Sequence, residues 1–294
     1  MGRQAEEISE SVDRGGGDYD PGLYRAAESV PAEPFGGLSD GLRDRYRRDG
    51  FLSAGGLIDE RRVGEAIAGI DRLIGGGVPG FRGIQWEAGV KGRLADLDLE
   101  QRRHAVRKLV YYVDHEPRLH SIAHDPAILA LAADLLGAEP ELFADQALLK
   151  PPGIGREKPW HQDVAYFDVR PGAPVVGLWI ALDRTDPGNG CMHVIPGSHR
   201  AGPVPHFSRR DFQLCDTDVA RDSVVAVPLD PGGCLIFDGL LHHGTPRNTS
   251  ERRRWALQFH YAPAEAIWRS RDERAAYRER RLAVFGGDGL DVTC

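Results

Sequence analysis

WHQDVAYF at residues 160–167 and LLHHGTPRNTSERRRWALQF at residues 240–259 decide how this chain is read. In a β-strand, residues i and i+2 point to one face. His161 and Asp163 therefore present an imidazole and a carboxylate together to a single cation. The downstream stretch supplies the second half. A histidine, His242 or His243, precedes the turn-forming run PRNTSE, and a strand carrying an arginine follows. His243 and Arg254 are eleven positions apart, so a short reversal lays them side by side on adjacent strands. Thr245 is two residues after His243 and shares its face. Strand alternation puts Arg252 on the same side as Arg254, so those two compete for one inward position, as His242 and His243 do for another.

Outward from these stretches the chain divides into two textures. Past residue 140 short apolar runs alternate with Gly/Pro turns: LFADQALL, VVGLWIAL, CMHVI, SVVAVPL, CLIFDG and WALQFHYA. Each is of strand length, and DPGNG (186–190) and DPGG (230–233) are turns by residue chemistry, which predicts an antiparallel sandwich or barrel. Before residue 140 the signals are helical. Ser39 or Asp40 opens a helix that Gly50 stops, and Val63, Ala66, Ile67, Ile70 and Ile74 form one face of a second between Asp59 and Gly75. A third is expected over residues 98–106, and PAILALAADLLG has Pro126 at its first turn and Gly137 at its end. The expected plan is a flexible polar arm over residues 1–37 and one domain over residues 38–294. That domain has a helical part (38–138), a β core (about 139–263) and a charged C-terminal helix (264–282).

Composition narrows the function. With 37 Lys and Arg against 44 Asp and Glu, the formal charge is -7, which argues against a general nucleic-acid binder. No apolar run is long enough for a transmembrane helix, and the first twenty residues lack the apolar core of a signal peptide. Cys191, Cys215, Cys234 and Cys294 show no CxxC spacing and are read as reduced thiols in a cytoplasmic chain.

Two histidines and one carboxylate make the facial triad of non-haem Fe(II) enzymes that activate oxygen. Three protein ligands on one face of an octahedron leave room for a bidentate 2-oxo acid and for O₂. Arg254 and Thr245 are then placed to grip the far carboxylate of 2-oxoglutarate, because the guanidinium fork matches a carboxylate bidentately.

Several segments, in order, carry a wider resemblance: LLKPPG, WHQDVAYF, GLWIALD, NGCMHVIPGSHRAG, GGCLIFDGLLHHGTPRN and RRRWALQFHY. From about Lys108 to Pro263 the chain resembles the phytanoyl-CoA dioxygenase family of Fe(II)/2-oxoglutarate oxygenases. The resemblance implies a mainly β fold with flanking helices around a double-stranded β-helix (jelly-roll, cupin-like) core. It implies iron ligands at His161, Asp163 and His243, and a 2-oxoglutarate carboxylate held by Arg254 and Thr245. Trp179 falls where the family has an aromatic residue beside the cosubstrate, with plain core packing as the alternative. Lys108 matches a further basic residue near 2-oxoglutarate, through a looser alignment. The implied reaction is hydroxylation of a small organic substrate, such as a natural-product intermediate or an acyl thioester, with release of succinate and CO₂. The carboxylate at Asp163 favours hydroxylation, desaturation or ring closure over halogenation. His193, Gln162, Tyr166 and Phe167 stand near the motif as lesser candidates. Arg82, Trp86, Arg156, Lys158, Arg209 and Arg210 lie on or near the stretches expected to meet substrate.

Overall fold

The computed structural model describes residues 11–12, 17–90, 93–268 and 270–286. The apolar runs of the second half build the centre of two sheets, and short strands from before residue 140, where helices alone are expected, extend them. The larger holds, in spatial order, β1 (Ser11–Val12), β5 (Ile84–Trp86), β6 (Val106–Val110), β7 (Pro140–Lys150), β16 (Arg254–Pro263), β9 (Val176–Ala181), β14 (Cys234–Asp238), β4 (Phe51–Gly55) and β3 (Glu33–Pro34). The smaller holds β2 (Glu28–Ser29), β13 (Val225–Val227), β10 (Met192–Val194), β15 (His243–Thr245) and β8 (Lys158–His161). A separate hairpin pairs β11 (Phe207–Ser208) with β12 (Phe212–Gln213).

Strand alternation sorts the large sheet into two faces. Trp179, Leu235, Phe237 and Ala256 turn inward and share one buried cluster with Met192, Val194, Val225 and Val227 of the smaller sheet. The two sheets therefore pack face to face as the walls of a double-stranded β-helix. Leu178, Ile180, Ile236, Leu257, Phe259 and Tyr261 turn outward and pack beneath the helices. Those helices are α1 (Asp40–Asp49), α2 (Glu60–Ile74), α3 (Leu99–Arg103), α4 (Pro117–Ala123) and α5 (Pro126–Leu136), with α6 (Arg271–Phe285) closing the chain. α2 is capped by Asp59, which accepts the Arg62 amide, and buries Val63, Ala66, Ile70, Leu73 and Ile74. Each buried Val, Ile or Leu among these is worth about 1.5–3 kcal/mol. α1 is capped by Ser39 and ends at Gly50, whose φ of +82° suits a residue without a Cβ.

Four further expectations need correction. Residues 20–34 are not a loose arm. Leu23 and Tyr24 are buried, Tyr24 stacks on Trp160 at 5.5 Å, and the Trp160 indole donates to the Leu23 carbonyl at 3.1 Å. Two isolated apolar anchors in a polar stretch have no periodicity to betray them. The helix expected over 98–106 stops at Arg103, and VRKLV, with a β-branched valine at each end, forms β6 instead. The C-terminal helix begins at Arg271 rather than 264, after a short 3-10 turn at Ala264–Ala266. Cys215 is disulfide-bonded, against the expectation of four reduced thiols, whereas Cys191 and Cys234 are buried free thiols; Cys294 lies outside the described residues. Among the described residues no helix is long and apolar enough to cross a membrane.

Candidate metal and cosubstrate site

β8 ends at His161, and the backbone of Gln162 stays extended (φ −111°, ψ 132°) for one residue more. That single residue preserves the alternation, so Asp163, which opens a 3-10 turn, still faces the same way as His161. Gln162 turns away and is spent on the backbone: its amide donates to the Gly202 and Leu240 carbonyls and accepts from Val204. Across the ladder His243 of β15 stands opposite His161. His161 Nε2 lies 3.3 Å and His243 Nε2 3.6 Å from Asp163 Oδ1. All three residues are buried, at 2–5% exposure.

The outer nitrogens fix the inner ones. His161 Nδ1 faces the Pro159 carbonyl at 2.7 Å and His243 Nδ1 faces the Leu241 carbonyl at 2.9 Å. A ring nitrogen against a carbonyl carries the proton, so in the neutral ring Nε2 presents its lone pair. Burial, with the charges of His243 and Lys158, drives the His161 pKa down to about 3, which keeps the ring neutral. Burial opposes the charge on Asp163, but the neighbouring histidines His243 and His260 outweigh that and hold the carboxyl well below its usual range. Three acceptor atoms thus converge within 4.8 Å of one another. Such a set repels itself unless a cation sits among its members.

The same group borders a cavity of about 680 Å³. Arg254 and Thr245 line it, and both are buried with loose ends. Arg254 donates one N–H to the Leu148 carbonyl at 3.1 Å, while its Nε and the Thr245 Oγ1 have no partner. Burial pulls the Arg254 pKa below its usual range, since no carboxylate faces it closely enough to offset desolvation. Trp179 does not line the cavity. It lies in the inter-sheet core with Arg254 5.2 Å above its ring, so it supports the guanidinium from below. Lys108, on β6, lines the cavity, and burial together with the charges of Lys158 and Arg107 lowers its pKa to about 8.

The rival residues are disposed elsewhere. Arg252 pairs with Asp186, and Arg253 pairs with Asp183 at 3.2 Å and stacks on Trp255. His193 packs edge-on against Tyr24 at 5.6 Å with Nδ1 on the Cys191 carbonyl, outside the ligand group. His242 is no member of that group either.

A family model for phytanoyl-CoA dioxygenase (PhyH) matches residues 46–256 of the 294. The chain belongs to the phytanoyl-CoA dioxygenase family. Phytanoyl-CoA dioxygenase domain-containing protein 1 of Danio rerio is 30% identical over 163 residues, which are 52% of this chain and 56% of that protein. The match thus spans little more than half of that relative. Among solved structures, EvdO2 from Micromonospora carbonacea var. aurantiaca, complexed with 2-oxoglutarate, is 26% identical with a TM-score of 0.61, covering 78% of this chain and 92% of EvdO2. AviO1 from Streptomyces viridochromogenes Tue57 is 27% identical with a TM-score of 0.59, covering 80% of this chain and all of AviO1.

In this PhyH-family chain the fold also brings to the site two residues that the motif reading passes over, beside others that it names. Gln258 and His260, alternate residues of β16, reach Asp163 from the facing wall. Lys158 donates to Asp211 at 2.7 Å and to the Tyr166 hydroxyl at 2.9 Å on the cavity rim. The signal for Gln258 and His260 is present in the sequence, since RWALQFH places Arg, Gln and His at even positions of an otherwise apolar strand. Of the residues expected to meet substrate, Arg156, Lys158, Tyr166 and Phe167 line the cavity. Trp86 belongs to the helical core, and Arg210 is clamped between Glu157 and Asp216.

Proposed function

We propose that this chain is an Fe(II)- and 2-oxoglutarate-dependent oxygenase that uses O₂ to hydroxylate an unactivated C–H of a small organic substrate, releasing succinate and CO₂. The observation that carries the proposal is the convergence of three buried lone-pair atoms from His161, Asp163 and His243 on a cavity that also holds the unpartnered ends of Arg254 and Thr245. The fit to both groups is chemical. Two neutral imidazoles and one carboxylate suit a ferrous ion. A buried guanidinium beside a free hydroxyl suits a carboxylate. Bound there, iron supplies the oxygen activation that protein side chains cannot.

The chain's own residues do the rest. His161 and His243 bind through Nε2 because their backbone contacts hold the other nitrogen. Arg254 and Thr245 orient the diacid, with Trp179 fixing the plane of the guanidinium. The buried walls keep water from the reacting atoms. A cavity of this size takes a small molecule rather than a polymer. The resemblance to EvdO2, itself complexed with 2-oxoglutarate, supports the cosubstrate assignment.

The test is an anaerobic titration of metal-free protein with Fe(II) and 2-oxoglutarate, read by the weak visible charge-transfer band of the chelate. Wild type gives the band, and Arg254→Ala gives it only at much higher 2-oxoglutarate. A folded wild-type protein without the band overturns the proposal.

A further inference from the structure

Asp163 is gripped on one oxygen only. Oδ1 faces the two histidine nitrogens, while Oδ2 takes the Gln258 amide at 2.9 Å and His260 Nε2 at 2.7 Å. Gln258 Nε2 and His260 Nε2 are themselves 3.1 Å apart, so the two donors stand side by side on a single acceptor. The donor assignment for His260 follows from its surroundings. Its other nitrogen, Nδ1, is buried with no partner, and its ring is boxed by Phe143, Phe167 and Phe237 with centroids at 6.1, 4.5 and 6.1 Å. Against an ionised carboxylate, which only accepts, the proton must be on Nε2.

A carboxylate oxygen offers two lone pairs. Both lone pairs of Oδ2 are consumed by Gln258 and His260, and none is left for a metal. We infer that Gln258 and His260 are positioning residues that hold Asp163 as a one-oxygen ligand, presenting Oδ1 and withholding Oδ2. A carboxylate free to rotate could chelate through both oxygens and fill a position that 2-oxoglutarate or O₂ needs. The fold builds this restraint cheaply. Gln258 and His260 are alternate residues of β16, on the same inward face as Arg254, so one strand orients both the carboxylate ligand and the diacid anchor. The clamp crosses from the large sheet to the end of β8 in the small one, tying the metal site to both walls. This inference rests on the metal-site reading above.

Its test is metal binding, independent of turnover. Co(II) is titrated into metal-free wild type, Gln258→Leu, His260→Leu and His260→Gln, following both affinity and the visible d–d spectrum. Each Leu variant is expected to bind Co(II) about 10–100-fold more weakly, the usual loss when a partner of a metal ligand is removed. The d–d band should lose intensity as the released carboxylate raises the coordination number. His260→Gln keeps a donor at similar reach and should recover most of the affinity and the wild-type spectrum. Thermal unfolding of the metal-free proteins separates a packing defect from lost positioning. Unchanged affinity and spectrum in both Leu variants overturn the inference. So does a loss of affinity that tracks metal-free stability and is not recovered in His260→Gln. If wild type itself binds no Co(II), the metal-site reading fails first, which is a distinguishable result.

Discussion

His161 and His243 stand opposite each other across antiparallel β8 and β15, their ring centroids 4.1 Å apart and tilted by 51°. The pairing makes one ligand's position depend on the other strand's register. A slip of one residue would turn His243 away and bring His242 in, because the side-chain period is 2. His243→Ala is therefore expected to weaken Fe(II) or Co(II) binding by more than the roughly 10–100-fold typical of an outer-sphere partner. His242→Ala should leave binding within a few-fold of wild type. Metal titration of the two variants checks this, and equal losses would show that the register assignment is wrong.

Arg254 is buried with an unpartnered Nε above Trp179. A charge-assisted hydrogen bond contributes about 1.5–3 kcal/mol, and 1.4 kcal/mol is about tenfold in affinity. Arg254→Lys keeps the charge and loses the fork, so 2-oxoglutarate affinity should fall about tenfold. Arg254→Met, which keeps much of the packing and loses the charge, should cost on the order of 100-fold or more. Calorimetric titration of 2-oxoglutarate into the Mn(II)-loaded proteins measures both. Metal affinity without 2-oxoglutarate should not change. An Arg254→Met protein that binds 2-oxoglutarate like wild type would remove Arg254 from the site.

The residues most legible in the sequence are those whose role follows from strand alternation plus chemistry. His161, Asp163, His243, Thr245 and Arg254 all lie on or just beyond strands, and the structure brings them to one cavity. The same rule reaches Gln258 and His260, yet a buried polar residue in an apolar strand announces only that it has a partner, not which one. Their partner is 95 and 97 residues away. Tyr24 was invisible for a related reason: its stack on Trp160 spans the chain, and nothing local marks it. Trp179 is expected beside the cosubstrate, yet it lies in the inter-sheet core beneath Arg254, a depth set by which strand neighbours β16, and sequence order does not give that.

Lys108 faces the cavity with a pKa of about 8, lowered first by burial and then by the positive charges of Lys158 and Arg107. 2-Oxoglutarate is a dianion across the neutral range. If Lys108 helps to hold it, affinity should be steady up to about pH 7 and fall as pH rises through about 8, where the ammonium loses its proton. The sign for folding is opposite. Between about 8 and the unfolded value of about 10.4 the unfolded chain binds more protons than the folded one, so this group's contribution to stability rises with pH. Lys108→Met should flatten both difference curves. A 2-oxoglutarate affinity whose pH profile is the same in wild type and Lys108→Met would detach this lysine from the ligand.

Gly177 is the place where packing and metal binding can be coupled by one methyl group. It lies on β9 between Phe237 of β14 and His260 of β16. A Cβ added there would sit 2.4 Å from Phe237 Cζ and 2.6 Å from its Cε1, so the ring must move. The ring is fully buried and its centroid lies 5.0 Å from His243 and 6.1 Å from His260. Displacing it presses on His243, a proposed metal ligand, and on His260, the proposed clamp of Asp163. Overpacking of this kind costs about 1–3 kcal/mol. Gly177→Ala should therefore lower the Tm by several degrees, at roughly 2–4 °C per kcal/mol for a chain of this size, and should weaken Co(II) binding several-fold in the same protein. Phe237→Leu on that background makes room for the methyl and should recover part of both losses, a non-additivity expected only of neighbours that share the space. If Gly177→Ala lowers the Tm and leaves Co(II) affinity and spectrum untouched, Phe237 does not transmit packing strain to the histidines.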